Sequence, residues 1–214
     1  MTPRTRRPVG PAALAAVLLL ALSACTSAAP SPSVIMLDPG ASASNLAMGM
    51  SETEYSPAKP EPPLQLTDQN GQAFDITSLR GTPVFVFFGY THCTDVCPTT
   101  LADLRTAIAQ SGLPAKVVFV TVDPARDTAA VMKSYLDLYQ AGFIGLTGTA
   151  AEIATAAAAW GVQYSAGPAD SSGNYEVTHT SDVFLVDASG MLRNHIFAGA
   201  GSPLIATILK QVSG

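Results

Sequence analysis

Positive charge is scarce in this 214-residue sequence, and much of it lies at one end. Eleven basic residues face sixteen acidic ones, and three of the eleven (Arg4, Arg6 and Arg7) fall within the first ten residues. Without residues 1–24 the chain would keep eight basic and all sixteen acidic residues, a formal charge of −8. A surface this acidic argues against nucleic acid as a partner and against polybasic contacts with membranes. It is compatible with a cation or a basic partner.

Long hydrophobic runs are also missing beyond the first 24 residues. Ala12 to Leu22 form one apolar stretch that is short for a membrane span and suits the central region of a signal peptide. It ends in Leu22-Ser23-Ala24-Cys25, which resembles the lipobox of bacterial lipoproteins, where the cysteine is acylated and becomes the mature N-terminus. An ordinary cleaved signal with an incidental cysteine is the alternative. We predict a lipoprotein signal over residues 1–24 and a protein anchored by lipid at Cys25 to the extracytoplasmic face of the cell membrane.

Residues 25–62 have little that could build a core. They are rich in alanine, serine, proline and glycine, a composition typical of a flexible tether. The rest of the chain, residues 63–214, is long enough to bury a core of its own and is predicted to form one domain.

Cysteine is as scarce as positive charge, with three residues in the whole sequence. If Cys25 carries lipid, Cys93 and Cys97 remain as a pair, with no odd thiol in an oxidising compartment. The apolar run at 83–88 before the pair predicts a buried parallel strand, and Pro98 suits the first turn of a helix. Cys97 is therefore expected at a helix N-terminus, where the dipole favours the thiolate. The pair indicates soft-metal or redox chemistry.

Strands and helices alternate through the predicted domain. A hairpin is expected at 64–76 around Asn70-Gly71, a second buried strand at 116–122, and a second hairpin at 182–197. Helices are expected after the cysteines, after Asp127-Thr128, over 150–160 and from Pro203. This order predicts an α/β fold with a mixed central sheet and flanking helices. The position of the cysteine pair points to a single thioredoxin-like domain.

Proline is absent from residues 169–201, where a thioredoxin-type reductase usually places a cis-proline facing the cysteine loop. His179 lies in this segment, just before the second hairpin. Two thiolates and one imidazole suit Cu(I), which accepts soft sulfur ligands and low coordination numbers.

Several short motifs occur together in this chain: Phe88-Gly89-Tyr90-Thr91, Cys93 to Pro98, Val122-Asp123-Pro124, Arg126-Asp127-Thr128 and Val177 to His179 leading into Phe184 to Asp187. At these residues the sequence resembles the Sco/SenC family of copper-binding assembly proteins over roughly residues 63–213. The similarity implies that Cys93, Cys97 and His179 bind a copper ion, and that the protein helps to load the CuA centre of cytochrome c oxidase subunit II. Thr94 departs from the family, which often has proline there, and His92 precedes the first cysteine.

Two functions remain open at this point. The first is a non-enzymatic copper chaperone that passes the metal to its partner by ligand exchange. The second is a thiol–disulfide oxidoreductase that keeps the CuA-site cysteines or other extracytoplasmic cysteines reduced. A copper donor or a thiol reductant would be a further partner. A peroxidase is disfavoured because Tyr90 occupies the proline position of the peroxiredoxin pattern.

Several residues near the expected site, and the methionines of the tether, also have explanations that do not involve copper. Cys93 and Cys97 could form an inert structural disulfide, although an exposed loop is a poor place for one. His92 is expected to point away from the metal. Asp123 and Asp127 could tune the site or simply form turns and caps. The tether methionines Met36, Met48 and Met50 could catch copper transiently but are expected to be incidental.

Overall fold

A computed structural model describes residues 52–214, which form a mixed sheet with helices on both faces. The eight strands of this sheet stand in the order β1-β10-β9-β4-β5-β6-β2-β3, and β7 pairs with β8 in a separate two-stranded sheet. The strands are β1 Glu52–Pro60, β2 Gln65–Asp68, β3 Ala73–Asp75, β4 Val84–Gly89, β5 Lys116–Thr121, β6 Ile144–Thr147, β7 Tyr164–Ala166, β8 Val177–His179, β9 Val183–Val186 and β10 Met191–Ile196. The helices are α1 Val96–Ser111, α2 Ala129–Asp137, α3 Ala150–Trp160 and α4 Gly201–Ser213, with a 3₁₀ turn at Ile76–Leu79.

The central strand β4 is buried on both faces, which explains its continuous apolar sequence. It runs parallel to β5 and antiparallel to β9. Because side chains alternate along a strand, Phe85 and Phe87 face a core that includes α1, α2 and α4. Val86 and Phe88 face the other core, which is covered by α3. The carboxyl end of β4 is therefore held rigidly between two packed layers.

The predicted α/β class, with its mixed sheet and flanking helices, is confirmed. Both hairpins and all four helices form within a few residues of their expected positions. At α2 the capping residue is Thr128, whose hydroxyl accepts from the N–H of Val131, and Asp127 has another role described below. The sequence did not predict strands β6, β7 and β8.

The predicted tether is too long at its C-terminal end. Residues 52–60, expected to be part of a flexible segment reaching residue 62, form β1 and pair antiparallel with β10. The signal peptide, Cys25 and the three tether methionines lie outside the described residues, so those expectations stay predictions. Within residues 52–214, none of the helices has the length and apolar character needed to cross a bilayer.

Candidate metal centre

The two cysteines lie in the turn that joins β4 to α1, as predicted. The turn is closed by the N–H of Cys93, which donates to the carbonyl of Tyr90 (3.2 Å). The turn is also anchored by the segment just before α2: the buried carboxylate of Asp127 accepts from the backbone N–H of Thr91 (3.0 Å) and from its hydroxyl (2.6 Å). A third bond to Asp127 comes from the hydroxyl of Thr121 (2.7 Å), at the end of β5. Asp127 thus fixes the cysteine loop to the neighbouring strand.

The helix N-terminus acts on Cys93 rather than on Cys97. Cys93 is half-buried as a residue, and its Sγ accepts the backbone N–H of Cys97 (3.4 Å) in the first turn of α1. Cys97 itself is fully buried, and burial raises the pKa of its thiol. The backbone N–H of Tyr90 lowers this pKa, but by less than burial raises it. The expectation that the dipole would favour a Cys97 thiolate is wrong for the metal-free protein, because burial raises the pKa of that thiol.

His179 is the last residue of the short strand β8, and its side chain reaches the cysteine pair from the two-stranded sheet. Its Nδ1 lies 3.0 Å from the backbone carbonyl of Thr180, which can only accept, so Nδ1 carries the proton and Nε2 keeps a free lone pair. That Nε2 lies 3.5 Å from the Sγ of Cys97. Burial lowers the pKa of the His179 imidazole, which keeps the ring neutral at pH 7. A neutral imidazole with its tautomer fixed is the form that binds metals.

The three residues predicted as copper ligands come together. Within residues 52–214, Cys93, Cys97 and His179 form the single cluster of three or more potential ligands, with their ligand atoms all within 4.8 Å of one another. No carboxylate belongs to this cluster. Two sulfurs and a nitrogen form a soft donor set that fits Cu(I) and not the hard cations Mg²⁺ or Ca²⁺.

His92 does not belong to this cluster. Its Nδ1 lies 3.2 Å from the hydroxyl of Thr91 and 3.8 Å from Asp127, and about half of its side chain is exposed. This placement agrees with the expectation that the ring points away from the metal.

Several contacts beside the cluster could not be identified from the sequence. Tyr90 packs edge-on against the His179 ring, with 5.7 Å between ring centroids, and its hydroxyl bonds to Glu176. Tyr175 bonds to Asp123 across 52 positions of the chain. Each contact joins segments far apart in the sequence, and no local pattern signals such a pairing.

Comparison with known proteins places this arrangement in a family. The sequence model described as SCO1/SenC matches residues 52–213. A Stutzerimonas stutzeri protein, named as a candidate copper-binding protein, is 40% identical over 158 residues, 71% of this chain and 76% of its own. The bovine mitochondrial SCO2 homologue is 38% identical over 135 residues, 61% of this chain and 51% of its own.

A solved structure agrees with these sequence matches. The copper-bound structure of ScoI from Bradyrhizobium japonicum superposes with a TM-score of 0.64 at 37% identity, covering 72% of this chain and 99% of that one. The extent of the family match and the level of identity lead to one conclusion: the chain belongs to the SCO1/SenC family.

Proposed function

We propose that this protein is a copper chaperone that holds one copper ion between Cys93, Cys97 and His179 and passes it on by ligand exchange. The observation that carries the proposal is the convergence of two thiol sulfurs and one neutral imidazole in a cluster free of carboxylates. Copper is the cargo of this reaction, and the protein contributes the ligands.

The recipient that we propose is the CuA site of cytochrome c oxidase subunit II. Assembly of that oxidase is the role that membership in the family implies. Two relatives support copper as the metal. The ScoI structure is described with copper bound, and the Stutzerimonas protein is named for copper binding. A lipid anchor at Cys25, also proposed here, would keep the domain beside a membrane-bound partner.

The difference in exposure between the two cysteine residues suggests how copper would be handed over. Cys93 is half-buried and Cys97 is fully buried, so an incoming thiolate from a partner reaches the metal on the Cys93 side first. Exchange of one ligand at a time avoids release of free copper.

Thiol–disulfide exchange is a second candidate, favoured by the same pair of adjacent thiols. The Cys93 thiolate would attack a partner disulfide, forming a mixed disulfide and releasing one partner thiolate. Cys97, once deprotonated, would then attack the Cys93 sulfur, release the second partner thiol and leave a Cys93–Cys97 disulfide. The partner is reduced by two electrons and the pair is oxidised by two. Because copper binds thiolates, this oxidation would abolish copper binding.

The test measures both activities on the same variants of the full-length protein in detergent. Copper stoichiometry and retention against a chelator are compared with the rate of reduction of an oxidised CuA-domain peptide. We expect about one copper per reduced chain, and a loss of affinity of more than ~100-fold for Cys93→Ser or Cys97→Ser, since even outer partners of a metal site contribute 10–100-fold. His179→Ala should weaken copper retention and leave peptide reduction nearly intact.

His195→Ala is the matched control, because that imidazole pairs with Asp182 (2.8 Å) outside the cluster. It should leave both activities unchanged. Copper binding that survives blockade of the thiols would contradict the proposed site. Intact copper retention with lost reductase activity in His179→Ala would favour the oxidoreductase instead.

A further inference from the structure

His179 is carried by the small sheet, which is separate from the sheet that carries the cysteines. The strand β8 has three residues, and its hydrogen-bonded strand partner is β7, with Tyr164 opposite His179. The backbone ladders of the two sheets are not joined. Apart from the three-residue link from β8 to β9, the distance between the imidazole and the thiols therefore depends on side-chain contacts that bridge the two sheets.

Two tyrosine–carboxylate hydrogen bonds make this bridge, and they run in opposite directions. Tyr90, directly after β4, donates its hydroxyl to Glu176 (2.7 Å) beside β8. Tyr175, directly before Glu176, donates its hydroxyl to Asp123 (2.7 Å), two residues beyond the end of β5. The hydroxyl of Tyr90 also accepts the N–H of Val177, the first residue of β8 (3.4 Å).

Arg126 completes the bridge. Its guanidinium lies over the ring of Tyr175, 3.7 Å from the ring centroid, and its Nε forms an ion pair with the buried Asp123. The same guanidinium lies 5.8 Å from the Tyr90 ring centroid. Asp123 thus holds both the Tyr175 hydroxyl and Arg126, and the guanidinium stacked on the Tyr175 ring helps to fix that ring. We call these five residues (Tyr90, Asp123, Arg126, Tyr175 and Glu176) the clamp.

We propose that the clamp positions His179 against the two thiols and thereby sets the rate at which copper leaves the site. This inference rests on the proposed function, since it requires His179 to be a copper ligand. None of the clamp residues belongs to the ligand cluster, so they are positioning residues. A loosened clamp lets β8 move away from α1, which detaches the imidazole and leaves copper on two sulfurs.

The test uses Tyr175→Phe, which removes one hydroxyl and keeps the ring under Arg126. Tyr139→Phe is the matched control: it also removes a hydroxyl that donates to another side chain, Tyr135 (3.3 Å), but it lies outside the clamp. A second pair of variants changes Glu176, which is exposed and accepts from Tyr90. Glu176→Ala removes the acceptor, and Glu176→Gln keeps an oxygen that can accept. The full-length protein in detergent is loaded with copper, and its release to a chelator is followed over time.

We expect Tyr175→Phe and Glu176→Ala to speed copper release roughly ten-fold, the usual effect of losing a hydrogen bond to a charged group. Glu176→Gln should restore most of the wild-type rate, and Tyr139→Phe should leave it unchanged. The nitrogen hyperfine signal of the Cu(II)-loaded protein in electron paramagnetic resonance should weaken in the clamp variants. In a His179→Ala background, Tyr175→Phe should have no further effect, because both changes remove the same ligand.

The outcomes separate the clamp from the function on which it rests. If the wild-type protein binds no copper, the proposed function is wrong. If it binds copper and His179→Ala speeds release, but Tyr175→Phe and Glu176→Ala release copper at the wild-type rate, the clamp proposal is overturned. Equal effects of Tyr175→Phe with and without His179 would overturn it too, since the clamp would then act on the fold and not on the imidazole.

Discussion

Gly89 leaves no room for a side chain beside the Cys97 sulfur. A methyl group built on its Cα would lie 2.8 Å from Cys97 Sγ and 2.6 Å from the ring of Phe119. Such distances are well inside van der Waals contact, and both neighbours are buried in a packed core. Glycine is needed here for close approach and not for an unusual backbone angle.

Gly89→Ala should therefore disturb the metal site as well as the fold. We expect a loss of about 1–3 kcal/mol in the free energy of unfolding from overpacking, together with weaker copper retention because the sulfur must shift. Gly145→Ala is the control, since its added methyl would meet Leu136 at 2.7 Å, outside the ligand cluster. It should destabilise the protein and leave copper retention unchanged. Chemical denaturation and chelator competition measure the two effects; equal copper loss in both variants would contradict the local explanation.

The buried Cys97 thiol should make copper binding depend on pH. Its raised pKa means that the metal-free site holds a thiol proton at neutral pH, and copper must displace that proton. The lowered pKa of His179 means that its ring is already neutral, so it releases no proton when copper binds between pH 7 and 8. We expect affinity to rise about ten-fold per pH unit for each thiol proton displaced. Competition with a chelator of known pH dependence measures the slope, and a flat profile would show that the thiol is already ionised.

The strand β1 covers an edge of the main sheet that would otherwise be exposed. Its five registered residue pairs with β10 extend the sheet beyond the second hairpin. The Glu52 carboxylate also accepts from the side-chain amide of Asn194 (2.9 Å), which is 4% exposed. Without β1, both the β10 edge and this buried amide would lose their partners.

A domain that begins at Glu61 should be less stable than one that begins at Ser51. Cross-strand pairs contribute a few tenths to 1 kcal/mol each, so five of them predict a loss of roughly 1–5 kcal/mol. The freed β10 edge should also promote self-association. Copper stoichiometry should stay the same, because β10 and β9 separate β1 from β4. Denaturant unfolding and size-exclusion chromatography test this; equal stability of the two domains would mean that β1 contributes nothing to the fold.

Delivery of copper to a membrane enzyme requires the whole molecule to stay near the membrane and still reach its partner. The proposed anchor at Cys25 and the start of β1 at Glu52 are separated by 26 residues, which can span at most about 90 Å. Such a length permits contact with a partner whose metal site stands well above the bilayer.

Cys25→Ala should release the protein from the membrane fraction or leave its signal peptide uncleaved. Two acyl chains give stable anchoring, so any variant protein whose signal peptide is removed should leave the membrane fraction almost completely. Copper binding by the released protein should match that of the wild type, because Cys93, Cys97 and His179 are unchanged. Mass spectrometry of the mature N-terminus is the direct measurement, and an unmodified Cys25 would refute the lipid anchor.

The sequence by itself determined the features that depend on neighbouring residues. The apolar run of β4, the turn with Cys93 and Cys97, and the capping residue Thr128 all follow from local patterns. Each involves residues a few positions apart, so the spacing alone carries the information. His179 was predicted from its place before the second hairpin in a thioredoxin-like fold and from the family resemblance, since no local pattern marks it as a ligand.

Tertiary structure decided the rest, because the remaining features join distant segments. β1 becomes a strand only by pairing with β10, more than a hundred residues away, and its sequence alone is typical of a tether. The helix dipole predicted an acidic Cys97, but packing buried that sulfur completely and raised its pKa instead. Within the clamp, the hydrogen bond from Tyr175 to Asp123 likewise forms only when folding brings the segments after β5 and before β8 together. Burial and long-range contact are properties of the fold, and they decide how the predicted ligands behave.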